Sequence, residues 1–139
     1  MEETGLSGLI GSWRLIALQF TMSDNGEVID EPMEGVSTFD ANGRWTFVGV
    51  PPDLAGPTND AERAAIFNRS LAFSGRCEVT GNQINVKADV ISNPALRGLE
   101  FTRFFSLDGD RLTITQPEWP HPFFNGRKAV AVVSWQRDR

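Results

Sequence analysis

Tyrosine is absent from the 139 residues, and cysteine and histidine occur once each, as Cys77 and His121. A lone cysteine excludes an internal disulfide framework and a cysteine-rich zinc cluster. A lone histidine argues against a histidine-based metal site, so the sequence implies neither metal nor cofactor. Positive charge is also scarce: 13 Lys+Arg stand against 18 Asp+Glu, a formal net charge of −5. Nucleic-acid binding and docking to anionic membranes, both of which rely on basic patches, are disfavoured. No run approaches the ~18 apolar residues of a membrane span. The start, Met1-Glu2-Glu3-Thr4-Gly5, is acidic where a secretory signal is basic, so the expected location is cytoplasmic and the sequon Asn68-Arg69-Ser70 is expected to be idle. Catalytic signatures are missing too. There is no phosphate-binding glycine loop, no G-x-S-x-G nucleophile elbow, no H-E-x-x-H and no calcium loop.

Turn chemistry is abundant. Asn25-Gly26, Asn42-Gly43, Asp108-Gly109 and Asn125-Gly126, with Gly81-Asn82 as a weaker case, favour the positive φ angles of tight hairpins. Between them lie runs rich in Val, Ile, Phe, Trp and Thr, which predict strands at 11–21, 35–40, 44–50, 71–80, 83–91, 98–107, 111–116 and 128–137. Short strands between turns suit an antiparallel sandwich or a closed barrel. The length suits one domain over residues 1–139. One segment differs: Asn59-Asp60-Ala61-Glu62 has the form of a capping box and predicts a short helix ending near Asn68 or Arg69. The proline-rich stretch 51–57 predicts a loop, packed over one end of the fold.

Alternation assigns faces. Leu71, Phe73, Gly75, Cys77 and Val79 share one, as do Ile84, Val86, Ala88 and Val90, and Trp45, Phe47 and Gly49. The first strand is apolar on both sides, with Trp13, Leu15 and Ala17 opposing Ile16, Leu18 and Phe20. Arg103 falls on the inward face with Leu99, Phe101, Phe105 and Leu107. A buried guanidinium needs a partner. Either a carboxylate or a core aromatic supplies it, or Arg103 faces a cavity and meets a ligand oxyanion. His121 lies between two prolines in a loop carrying Trp119, Phe123 and Phe124, placed to exchange a proton near neutral pH. Cys77 reads as a small buried hydrophobe and not as a nucleophile.

Several motifs then line up with a known family. Gly11-Ser12-Trp13 resembles the G-x-W opening of lipocalins, and Trp135-Gln136-Arg137 their closing aromatic–arginine stretch. Between them, Gly43-Arg44, Phe73-Ser74-Gly75, Asn93-Pro94 with Gly98, Arg103 and Leu107-Asp108-Gly109-Asp110-Arg111-Leu112 follow the order of the small single-domain lipocalin-like family of bacteria and fungi. The resemblance implies an all-β, antiparallel up-and-down barrel of eight strands, here with one short helix and a cavity at one end. It also implies that Trp13 and an arginine, Arg137 or alternatively Arg103, close the other end by a cation–π contact. Family members often carry tyrosines around Phe73–Cys77 and a histidine near Val86–Lys87; this chain has lost those interior acid–base groups.

The functional expectation is a hydrophobic small molecule held in an aromatic-lined cavity by Trp45, Phe47, Phe73, Cys77, Phe101, Phe105 and Trp119. Arg103 and His121 are the candidate catalytic residues of a cofactor-free cyclase or isomerase in secondary metabolism, acting on a polyketide- or terpenoid-like substrate. The alternative is a non-catalytic carrier of a hydrophobic metabolite. A third reading is an interaction module or homodimer with the Trp119–Phe124 loop as its contact surface. Both ligand readings require a cavity, conventionally of roughly 300 Å³ or more.

Overall fold

A computed structural model describes residues 5–52 and 56–138, which leaves 53–55 of the proline-rich loop outside the described residues. Its strands, in chain order, are β1 (Gly11–Met22), β2 (Val28–Asp30), β3 (Glu34–Phe39), β4 (Arg44–Val50), β5 (Leu71–Thr80), β6 (Gln83–Ile91), β7 (Glu100–Asp108), β8 (Arg111–Pro120) and β9 (Lys128–Asp138). Two short helices accompany them, α1 (Gly5–Leu9) and α2 (Asp60–Asn68). All pairings are antiparallel. β3 to β9 follow one another around the sheet, and β1 pairs with both β3 and β9, which closes a barrel of eight strands. The short β2, absent from the sequence expectation, continues the β3 edge of β1 through Gln19–Asp30 and Thr21–Val28.

The two-sided first strand has a simple origin. Opposite β9, Leu15 faces Trp135 and Ala17 faces Ser134, so Ile16 is an extra residue in a β-bulge. The bulge switches parity: Trp13 and Leu15 point inward before it, and Leu18, Phe20 and Met22 after it. Neither a fully buried strand nor a covering helix is needed. A second bulge corrects the face assigned to β6. Gly75 faces Ala88 and Ser74 faces Val90, so Asp89 is extra and Val90 turns to solvent.

One end of the barrel is sealed. The Arg137 guanidinium lies 4.2 Å from the centre of the Trp13 ring, which has no exposed surface. It also donates to the Ile10 and Gly8 carbonyls and pairs with Asp110 at 3.3 Å. Arg137, not Arg103, is therefore the partner of Trp13. Helix α1 lies beneath, and its Leu9 carbonyl accepts the Trp13 indole N–H at 2.9 Å. Gly11 is required here. Its φ is +128°, and a Cβ would come within 3.1 Å of Arg137 Nη1.

Above this floor the core holds Phe39 stacked on Trp45, whose indole N–H donates to buried Ser37 at 3.0 Å. Ser37→Ala leaves that N–H without an acceptor and is expected to cost about 1–3 kcal/mol. Gly75→Ala is expected to cost more, on the order of 3 kcal/mol, because its Cβ would run into the Lys87 carbonyl and the Ala88 backbone at the bulge. Urea unfolding of both variants checks the order; a smaller loss at Gly75 contradicts it.

Candidate functional site

The inward side chains near the open end are the later residues of β1, β4, β6 and β8 and the early ones of β5, β7 and β9. They surround a cavity of about 190 Å³. Leu15, Leu18 and Phe20 line it from either side of the β1 bulge, with Trp45, Phe47, Phe73, Phe101 and Trp135 as aromatic walls. Phe73 is the hub of those walls: its ring packs against Trp45, Phe47 and Phe101 at centroid distances of 5.1, 5.6 and 5.5 Å.

A third bulge brings in Trp119. Gln116 faces Ala131 and Trp119 faces Ala129, so Pro117 and Glu118 sit opposite a single residue. That irregularity tolerates a proline inside a strand. It also turns Trp119 into the cavity wall beside Gln116, although the two are three residues apart. The strand thus runs on to Pro120 where the sequence suggested a loop after 116.

Five of the seven residues expected to contact a ligand therefore line the cavity: Trp45, Phe47, Phe73, Phe101 and Trp119. Cys77 and Phe105 do not. They lie further toward the sealed end, opposite Val86 and Ile114, in the packed core. Burial, with the nearby charge of Asp40, pushes the Cys77 thiol up to about 11, so it stays protonated and inert at neutral pH. The polar contributors Asn68, Ser70, Asn93 and Gln116 were not expected from the sequence as ligand contacts, nor were Ile91 and Leu96. Ile91 is reached only because the β6 bulge reverses the alternation.

Arg103 is in the wall. Its guanidinium stacks on Phe101 at 4.3 Å, and Nη1 donates to the Thr102 carbonyl at 3.1 Å. Among the described residues no carboxylate comes within ion-pair distance of it, whereas six other arginines have such a partner. Desolvation pulls it down to about 10, still charged at pH 7. His121 also lines the cavity, with its ring edge-on to Phe20 and Phe123 at 4.7 Å. Its Nδ1 accepts the Phe123 backbone N–H at 3.2 Å, which leaves the proton of the neutral ring on Nε2. Burial, then the charges of Arg103 and Arg69, lower His121 to about 4. The imidazole is uncharged at neutral pH and offers an N–H, which suits a hydrogen-bond donor better than a proton shuttle.

The mouth is bordered by α2. Asn59 caps it as expected, accepting from the Glu62 N–H at 2.9 Å, and Glu62 reaches back to the Thr58 N–H at 2.7 Å, one residue earlier than in the usual box. No α2 residue is buried, and Phe67 is 49% exposed. The helix is tied down at its end. Arg69 pairs with Glu31 at 2.9 Å and stacks over Phe123 at 5.2 Å.

This geometry agrees with the comparison of the chain with known families. The family model described as a lipocalin-like domain matches residues 10–138. The chain belongs to the lipocalin-like family. A search of curated proteins found no match. Within the lipocalin-like barrel, α1 lies before the matched region, while the cavity and the Trp13–Arg137 closure fall within it.

The depressed His121 value makes a prediction about acid stability. In the unfolded chain the imidazole takes up a proton below about pH 6.5, but in the fold only near pH 4. Its contribution is complete above pH 6.5 and is lost as the pH falls toward 4, by at most about 3 kcal/mol. Urea unfolding at pH 7 and pH 4.5 is expected to show a smaller acid penalty for His121→Leu than for the wild type. An equal penalty contradicts this assignment.

Proposed function

We propose that this lipocalin-like barrel binds a hydrophobic small molecule in the cavity at its open end. The observation that carries the reading is the cavity itself, an apolar space walled by Phe47, Phe73, Phe101 and Trp135 beneath a mouth rimmed by α2. Its volume of about 190 Å³ falls short of the roughly 300 Å³ that either ligand reading was expected to need. That takes support from both and leaves room only for a ligand smaller than drug-sized. An apolar cavity of about 150 Å³ holds benzene, so the fitting ligand is one ring with a short substituent. A full polyketide or terpenoid chain exceeds that space.

A second reading, cyclase or isomerase, rests on Arg103 and His121 sharing one cavity. Two donors, one of them charged, suit a developing enolate or alkoxide, and orientation of a bound substrate supplies several kcal/mol of barrier reduction. Among the described residues no Asp or Glu lines the cavity, so the proton transfers of such a reaction would fall to the substrate's own groups or to water. Binding without turnover asks less of these residues and is the reading we favour.

Titration with p-xylene followed by NMR is expected to shift the resonances of Phe73 and Trp135, and Ala131→Phe, which fills the space from β9, to abolish the shifts. Absence of wild-type binding refutes the proposal. Incubating the protein with an extract of its source cells separates the two readings. A ligand recovered unchanged supports binding alone; a product isomer of identical mass supports the isomerase.

A further inference from the structure

The cavity carries a positive charge that no described residue balances. Arg103 spends one N–H on a backbone carbonyl and stacks one face on Phe101, but has no carboxylate within ion-pair distance among the described residues. Its remaining N–H groups are not sealed. Among the described residues the buried side-chain polar atom left without a partner is Trp135 Nε1, two strands away on β9, so the free Arg103 donors keep accessible surface. The other polar group of the wall with a defined protonation state is His121, held neutral with its proton on Nε2. No acidic side chain among the described residues lines the space.

A partly desolvated guanidinium without a counter-charge is costly to the protein alone. A ligand that brings the missing anion recovers that cost and gains a charge-assisted, bidentate contact. The space left beside Arg103 is ring-sized and aromatic-walled. We infer that the ligand is a small monocyclic carboxylic acid bound as its carboxylate, the carboxylate on Arg103 and the ring against Phe47 and Phe73. This rests on the cavity-binding reading above and narrows it from hydrophobic molecules in general to one class.

Three probes of one shape test it: 4-methylbenzoate, 4-methylbenzamide and p-xylene, titrated at pH 7 into the full chain and into Arg103→Met. The wild type is expected to bind the acid at least tenfold more tightly than the amide. Arg103→Met, checked for folding by circular dichroism, is expected to lose that preference. If p-xylene binds but the acid gains nothing over the amide, the inference fails and the cavity reading survives. A folded Arg103→Met that keeps the preference for the acid overturns the inference in the same way. If none of the three probes binds, both readings fail. The acid-to-amide ratio needs only the wild type, so the test stands even if the variant does not fold.

Discussion

The pairing of β1 with β9 is the constraint from which the rest follows. It runs from Ser12–Asp138 to Met22–Ala129, nearly the full length of both strands, and it turns an open sheet into a ring. Without it the first and last strands would present long unpaired edges, and the inward aromatic face would have no enclosed volume to fill. The bulge at Ile16 belongs to this closure. It lets one strand keep Trp13 in the floor and still aim Leu18 and Phe20 at the mouth.

Two arginines show how differently the ends of this barrel are built. Arg137 and Arg103 lie over aromatic rings at almost the same distance, 4.2 and 4.3 Å. Arg137 is also satisfied by two backbone carbonyls and the Asp110 carboxylate, so the sealed end is complete without a ligand. Arg103 has one carbonyl. A cation half-satisfied in an apolar wall adds little to stability. In the proposed reading it adds a preference among ligands, which the neutral, ordered imidazole of His121 reinforces without a competing charge.

Much of this was legible in the residues. Asn-Gly and Asp-Gly turns located the hairpins, strict alternation placed Phe73 and Arg103 inside, and Asn59 and Glu62 marked the start of α2. What escaped the sequence were three bulges. A bulge inserts one residue without a side-chain signature of its own, and every assignment beyond it changes parity; this misplaced Val90, hid Ile91 and left β1 ambiguous. Pro117 and Gly75 sit at two of them, and each is a residue a regular central strand would avoid. Depth along the barrel was equally hidden. Alternation says that Cys77 and Phe105 point inward, but not that they stop short of the cavity in the packed floor. Helix α1 is too short to show a helical period.

The most direct measurement is a crystal structure of the protein under xenon pressure, since an apolar cavity of about 150 Å³ takes up xenon. Xenon density between Phe47, Phe73 and Trp135, with Arg103 stacked on Phe101 and free of any carboxylate, is the expected result. A space without xenon, filled by repacked side chains, or an Arg103 sealed in an ion pair, would contradict the account.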